Sequence, residues 1–306
     1  MTAGPSVVAL GGGHGTAATL RACRRYAGEI TAIVSVADDG GSSGRLSEVL
    51  GVPALGDLRK CLVALAAPGS DLAAAMEHRF TEGEMKGHAL GNMLLAGLIQ
   101  TEGDLINGLA AAARLLGADG TILPATEVPV RLTASGIGGP TTGQAAIARS
   151  GGVEEVALQP SGASSPQAAC DAIAAADQVV IGPGSLYTSV LACVLPDQIR
   201  AALQATSAMK VYVCNLRPQV PETAGYSVAD HVAALERHGV VPDIVLCDTS
   251  SGLTLGDTRF RLREEMLAGS HGLVHDPTRL SAALVDLADQ HRVKNKVKYT
   301  VKDKGS

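Results

Sequence analysis

Apolar residues along the chain fall into short unbroken runs, separated by longer stretches in which they recur every three or four positions. VVAL from Val7, ITAIVSV over 30–36, QVVI from Gln178, KVYVCN from Lys210 and DIVLC from Asp243 are runs of the first kind. Continuous β-branched runs of this length mark strands buried on both faces, as in a parallel sheet covered by helices. ATLRACRRYAG, LRKCLVALA, DLAAAMEHRF, MLLAGLIQ, DLINGLAAAARLLG and PQAACDAIAAA carry helical spacing instead. From 45 to about 117 the pattern is helical without a strand, which predicts a helical insertion on one edge of the sheet. VPVRLTAS alternates, Gly136-Ile137-Gly138-Gly139-Pro140 turns and TTGQAAIAR returns, so a β-hairpin is expected over 128–149, followed by a strand at VEEVALQP. DIVLC is the last clear strand. The expected fold is α/β: a Rossmann-like three-layer core with a mostly parallel sheet and a helical insertion, one domain over 1–290. The lysine-rich end, RVKNKVKYTVKDKGS, reads as a basic flexible tail over 291–306.

The loops that follow the strand runs carry the candidate chemistry. VVAL leads directly into Gly11-Gly12-Gly13-His14-Gly15-Thr16 and then a helix. Glycines let a backbone approach a phosphate, and the N–H groups and dipole of a helix start favour its charge. Thr16 is placed to cap that helix or to donate its hydroxyl to a phosphate oxygen. No Gly-Lys-Ser/Thr follows, so the turn is not a Walker A loop. ITAIVSV ends in Ala37-Asp38-Asp39-Gly40. An acid here bonds a ribose hydroxyl in dinucleotide-binding units, while two adjacent acids could hold a divalent cation such as magnesium. Asp39, directly before Gly40, is the favoured contact, although such a turn also forms for local reasons alone. Gly182-Pro183-Gly184-Ser185-Leu186-Tyr187 repeats the strand–glycine–helix pattern, and KVYVCN runs into Asn215, Arg217 and Gln219. In the helical block, Asp57, Arg59, His88 and Asn92 sit at or near helix starts, where each is also an ordinary cap.

All four strand-end loops fall on the edge where open parallel sheets bind ligands. The candidate binding set is therefore Gly11, Gly12, Gly13, His14, Gly15, Thr16, Asp38, Asp39, Gly40, His88, Asn92, Gly182, Gly184, Ser185, Leu186, Tyr187, Asn215, Arg217 and Gln219. Asp38 and Asp39 are the metal candidates. Two glycine turns suit an extended phosphate group, such as a nucleotide diphosphate conjugate. No nucleophile–base pair is evident, since Ser185 lacks the Gly-x-Ser-x-Gly elbow, and no catalytic residue is nominated.

Composition narrows the class. The 306 residues are 46% hydrophobic with two Phe and no Trp, so the core must be aliphatic. A net charge of -5 argues against nucleic acid as partner, because phosphate backbones demand a basic face. The six cysteines are scattered with no Cys-x-x-Cys pair, which predicts buried free thiols in a reducing cytoplasm rather than a zinc or iron–sulfur site. The first strand begins within a few residues of Met1 without a charged n-region, so no signal peptide is expected. No apolar stretch approaches the roughly 20 residues of a membrane span.

VVALGGGHGTAATLRAC, ITAIVSVADDGGSSGRL, GVPALGDLRKCLVALA, GHALGNMLLAGL, ADQVVIGPGSLYTSVL and KVYVCNLRPQVPETAGYS together resemble the YvcK group of the CofD-like superfamily, bacterial proteins often called gluconeogenesis factors. The resemblance runs from the first strand to about residue 290. It implies a Rossmann-like core with a helical insertion and binding of UDP-sugars such as UDP-N-acetylglucosamine or UDP-glucose. It also implies a role in cell shape and envelope precursor supply on gluconeogenic carbon, through a partner enzyme of amino-sugar or cell-wall precursor metabolism. A homo-oligomer is left open. Two positions depart from the family pattern: His14 stands where the first turn usually has Thr, and Lys60 stands where Gly-Asp-Ile-Arg-Asn ends in Asn. Two other readings compete. One is a CofD-like transferase moving a phospholactyl-type group from a GDP-activated donor with magnesium. The other is an NAD(P)-binding oxidoreductase, which rests on the opening motif alone.

Overall fold

Each run expected as a buried strand is a strand of one seven-stranded sheet. The computed structural model of the chain describes residues 4–257 and 259–302. Strands β1 (Ser6–Gly11), β2 (Glu29–Val34) and β3 (Thr121–Pro124) come first. β4 (Arg131–Gly136), β5 (Thr141–Thr142) and β6 (Val153–Gln159) form a separate small sheet, and β7 (Gln178–Ile181), β8 (Met209–Val213), β9 (Ile244–Cys247) and β10 (Leu262–Glu264) return to the main one. The main sheet has the order β10-β9-β8-β7-β1-β2-β3, and every neighbouring pair is parallel. From β1 the chain moves out to β2 and β3, then crosses to β7 on the other side. The carboxyl ends of β1 and β7 therefore flank the switch in strand order, where α/β sheets open a crevice.

Eleven residues of α1 (Gly13–Cys23) follow β1. Five helices, α2 (Gly41–Leu50), α3 (Gly56–Leu65), α4 (Asp71–Glu77), α5 (Leu90–Glu102) and α6 (Leu105–Leu116), fill the crossover from β2 to β3. α7 (Gln144–Ile147) and α8 (Gln167–Ala175) flank β6. After β7 comes a π-helical segment, Leu186–Leu191, running into α9 (Ala192–Val194) and α10 (Asp197–Ala205); α11 (Val228–Arg237) precedes β9, and α12 (Pro277–Lys302) closes the chain.

Alternate strand residues feed two cores. Val7, Ala9, Ile30, Ala32, Val34, Val180 and Val211 join Leu20, Leu58, Leu62, Leu95, Leu109 and Leu284 of the helices on one face. Val8, Leu10, Ile33, Val179, Ile181 and Val245 join Ile173, Ile199, Leu203, Val232 and Leu235 on the other, with Leu132 and Val156 of the small sheet. Burial on both faces accounts for unbroken apolar runs in place of alternation. Each fully buried Leu, Ile or Val contributes about 1.5–3 kcal/mol, so aliphatic residues suffice without aromatic ones.

Two expectations are corrected. DIVLC is not the last strand: β10, only Leu-Arg-Glu, pairs beyond it on the sheet edge. The hairpin over 128–149 is truncated, because β5 holds two residues before Gly143, at φ +102°, turns the chain into α7. The long antiparallel partner of β4 is β6, from Arg131↔Gln159 to Gly136↔Val153. α12 carries the backbone helix through 291–302, a stretch that contains neither Gly nor Pro; 303–306, the end of the expected basic tail, lie outside the described residues. Among the described residues no helix is long and apolar enough to cross a membrane.

Candidate functional site

The two glycine turns at the switch point touch backbone to backbone. A β-carbon built on Gly15 would lie 2.1 Å from the Pro183 carbonyl oxygen, so only glycine fits there. Thr19 of α1 donates to the Gly182 carbonyl at 2.9 Å. Asn215, in the loop two residues beyond β8, closes both sides of Gly184: its Oδ1 accepts from the Gly184 N–H at 3.0 Å and its Nδ2 donates to the Gly184 carbonyl at 2.8 Å. Ser189 packs beneath both turns, 3.6 Å from the β-carbon positions of Gly12 and Gly184. The turns are one body.

Their helix starts differ. α1 begins at Gly13 behind Gly12, and no side chain caps it. Its first N–H groups thus point at the crevice with the positive end of the helix dipole, a seat for an anion. Thr16 does not share that seat: it is fully buried and its hydroxyl donates back to the Gly12 carbonyl at 3.2 Å, one turn earlier. At the second turn, the N–H groups of Tyr187 and Thr188 already donate to Glu222 Oε1, at 3.0 and 2.9 Å. Glu222 is 3% exposed, and burial pushes its carboxyl above the usual range while these bonds pull it down. Leu186 and Tyr187 are fully buried beneath the turn, with the Tyr187 hydroxyl 2.9 Å from that of Tyr226. They support the turn and do not line the crevice.

The acids also divide. Asp38 is half-buried and its Oδ1 accepts from the Gly40 N–H at 2.9 Å. Burial raises its pKa, with a further push from the Asp57 carboxylate. Asp57, in the first turn of α3, reaches the glycine turn: a β-carbon on Gly12 would be 2.5 Å from its Oδ2, and Lys60 Nζ lies 3.0 Å from its Oδ1. Asp39 is exposed and faces elsewhere, its Oδ1 accepting from the Ala145 N–H at 2.9 Å at the start of α7. Successive residues of an extended segment point to opposite sides. The pair of acids near the turn is accordingly Asp38 with Asp57. No group of three or more potential ligands among His, Cys, Asp and Glu occurs among the described residues. Magnesium, however, uses one or two carboxylates plus ligand phosphates, and two acids beside an anion seat fit that donor set.

His88 and Asn92 belong to a neighbouring network centred on Ser42. Ser42 Oγ lies 3.2 Å from His88 Nδ1 and accepts from Asn92 Nδ2 at 3.2 Å. Asn92 Oδ1 accepts from Arg59 Nε at 3.0 Å, and Arg59 continues to the Met76 carbonyl at 3.1 Å and to Glu77. These bonds tie α2, α3, α4 and α5 together behind the acidic loop. Ser42 and His88 form a hydroxyl–imidazole pair, but Ser42 is 3% exposed and lines no cleft at the turns.

The crevice has two lobes that meet at His14. One, of about 300 Å³, is lined by Pro183, Gly184, Asn215, Arg217, Pro218 and Gln219. The other, of about 380 Å³, is lined by Arg21, Lys60, Val63 and Glu77. Val274 and His275 line both, on a strap held by Arg217 Nη2 donating to the Gly272 carbonyl at 2.5 Å. His275 Nε2 donates to the Cys214 carbonyl at 3.1 Å, and burial holds its pKa at about 4. Burial and the Lys60 charge likewise lower that of His14. Larger clefts, of about 540 and 630 Å³, lie beside β6 and α10 and beside β10 and α12, and neither touches a glycine turn.

A model of the CofD family, described as 2-phospho-L-lactate transferase CofD, matches residues 7–291. The chain belongs to the CofD family. Within it, the chain is 41% identical over 247 residues to a protein of Halalkalibacterium halodurans named gluconeogenesis factor, covering 79% of this chain and 77% of that protein. A Nostoc relative is 42% identical over 236 residues, 76% of this chain but 52% of its own length, so the chain spans about half of it. The crystal structure of a UPF0052-family protein from Bacillus halodurans superposes with a TM-score of 0.86 at 35% identity, covering 91% of this chain and 98% of that one. The YvcK-type resemblance and the three-layer fold are thereby established for this family member. Both departures from the usual motifs, His14 and Lys60, line the same lobe of the crevice.

Sequence reading missed Asp57 and Lys60 as a pair, Ser189, Glu222 and the strap. Glu222 carried a signal, as an acid inside Val-Pro-Glu-Thr-Ala-Gly. The strap carried none, because it reaches the turns from more than 80 residues beyond β7.

Proposed function

We propose that the chain is a nucleotide-sugar-binding regulatory protein of the YvcK type, acting in the cytoplasm and taking a UDP-sugar across the α1 start. The observation that carries this reading is the uncapped start of α1 between two lobes, one with Asn215, Arg217 and Gln219 and one with Arg21, Lys60 and Glu77. A diphosphate seated on the N–H groups of Gly13 to Gly15 puts its two substituents into the two lobes. Asn215 and Gly15 fix the second turn as the wall of the nucleoside lobe, and Gln219 offers its amide there. Asp38 and Asp57 would hold a magnesium ion, which supplies positive charge between the acids and the phosphates when bound. Lys60, with its Nζ 3.0 Å from Asp57 Oδ1, orients that carboxylate.

A regulator needs only different affinities for its ligand and partner states. The Arg59–Asn92–Ser42 network links the acidic loop to the helical block, a route by which a bound ligand biases a surface for an enzyme of envelope-precursor metabolism. A strain lacking the protein then fails on gluconeogenic carbon. Calorimetry with UDP-N-acetylglucosamine and UDP-glucose, with magnesium present, tests the ligand reading. Absence of heat in folded protein overturns it.

The family match favours one other reading, transfer of a phospholactyl-type group from a GDP-activated donor. Turnover of that donor with a deazaflavin acceptor by the purified protein establishes the transferase instead.

A further inference from the structure

The lobe on the α3 side of His14 is charged out of proportion to what a neutral sugar requires. Its walls are Ala17 and Ala18 of α1, Val63 of α3, and Val274 and Pro277 of the strap and α12. Its charged groups are Arg21 from α1, Lys60 from α3 and Glu77 from α4. Two of these are already matched. Lys60 lies 3.0 Å from Asp57, and Glu77 is bound by the buried Arg59 guanidinium. Arg21 has neither an ion pair nor a hydrogen bond among the described residues, and it is exposed toward the lobe. One uncompensated guanidinium therefore stands at the far end of a lobe whose near end is the anion seat of α1.

Guanidinium groups recognise carboxylates and phosphates by paired, planar hydrogen bonds, whereas hydroxyls satisfy them less well. Arg21 lies two helical turns beyond the α1 start, about 9–12 Å along the axis. That distance suits the far side of a hexose attached to a diphosphate seated on Gly13 to Gly15, and not the diphosphate itself.

We propose that this lobe selects a nucleoside-diphosphate sugar whose sugar carries a carboxylate, with Arg21 as its counter-ion. The inference rests on the nucleotide-sugar reading and adds the chemical class of the sugar. Glu77 and Lys60 remain for the neighbouring sugar hydroxyls, one as acceptor and one as donor. The same geometry places the nucleoside in the opposite lobe, against Pro218 and Gln219.

Calorimetry on the full chain with UDP-glucose and UDP-glucuronic acid, at constant ionic strength with magnesium, tests this. One charge-assisted contact in a half-open lobe predicts about tenfold tighter binding of the uronic acid. Arg21→Gln removes that preference by lowering the UDP-glucuronic acid affinity to that for UDP-glucose. Arg114→Gln removes an equal charge from α6, outside both lobes, and keeps the preference. Equal affinities for the two sugars in the wild type, or a preference that survives Arg21→Gln, overturn the proposal while the nucleotide-sugar reading stands. Binding of neither sugar by folded protein overturns both.

Discussion

Gly15 and Gly12 look alike in sequence but are glycine for different reasons, and replacing each by alanine separates them. At Gly15 the new methyl would meet the Pro183 carbonyl oxygen at 2.1 Å, its carbon at 2.6 Å and the Gly184 nitrogen at 3.1 Å. All three are backbone atoms of a turn pinned by Thr19 and Asn215. The turns must separate by roughly 1.3 Å to restore an ordinary contact, which is overpacking against main chain and costs about 2–3 kcal/mol. For a chain of this size that lowers the midpoint of thermal unfolding by about 3–5 °C. At Gly12 the φ of −162° suits any residue, and the methyl meets only Asp57 Oδ2, at 2.5 Å. Rotation of that carboxylate relieves the contact, so stability falls by less than about 1 kcal/mol. The rotation also takes Asp57 from Lys60 and from the anion seat. Gly12→Ala is therefore expected to keep its melting temperature and lose nucleotide affinity, while Gly15→Ala loses both. Differential scanning calorimetry and titration calorimetry on the two variants decide the matter. Wild-type stability in Gly15→Ala would refute the packed-turn account.

The remaining predictions concern charge. His14 faces Asp57, Arg59 and Lys60 of α3, Glu77 of α4, Arg21 of α1 and His275 of the strap, and its pKa is lowered in the free protein. A bound diphosphate raises it, so binding takes up a proton and tightens as pH falls through the bound-state value, levelling off below the free one. Titrations across pH 5–8 should show this slope in the wild type and a flat profile in His14→Asn. Asp57→Asn is expected to abolish the magnesium dependence of nucleotide affinity, whereas Asp39→Asn weakens only the start of α7, costs at most about 1 kcal/mol and leaves affinity unchanged; identical affinities with and without EDTA in the wild type would remove the metal role. Glu222→Gln keeps an acceptor for the Tyr187 and Thr188 N–H groups and removes a buried charge. Because the folded-state pKa of Glu222 is raised, the wild type loses stability as pH rises from the ordinary carboxyl range through the folded-state value, so the variant should gain on the wild type in melting temperature as pH is raised from about 4 to neutrality. A gain that shrinks with pH contradicts this.

How far the site could be read from residues follows from how local its causes are. The strands of the main sheet announce themselves because both faces are buried, and each run of Val and Ile needs no partner to be recognised. β3 and β10 escaped for the converse reason: four and three residues on the edges carry too little apolar periodicity. The hairpin arm TTGQAAIAR looked extended, but Gly143 and a cap supplied by Asp39, over 100 residues earlier, turn it helical. The glycine turns were legible because a strand, a glycine cluster and a helix start lie within a few residues. The division of labour among the acids was not. That Asp38, and not Asp39, is the acid beside Asp57 depends on how α3 brings Asp57 up to Gly12, and α3 is positioned by packing against α1 and the sheet.

The same distinction revises what two glycine turns imply. In sequence they are near repeats, and two helix starts suggest two phosphate seats. In the folded chain the second start is closed by Glu222, a carboxylate supplied from the loop after β8. A negative group of the ligand brought there would face that buried acid, and repulsion between charges away from solvent is far stronger than in water. Of the two starts, the open one at α1 is then the one suited to an anion, and the second turn contributes shape: Pro183 against Gly15, Asn215 around Gly184, Ser189 beneath both. Glu222 satisfies two orphan N–H groups that would otherwise invite an anion, and it fixes the loop carrying Arg217 and Gln219 to that turn. Under the proposed nucleotide-sugar reading, the phosphates would then be held at one point only, which would leave the two ends of the ligand to be discriminated by the two lobes.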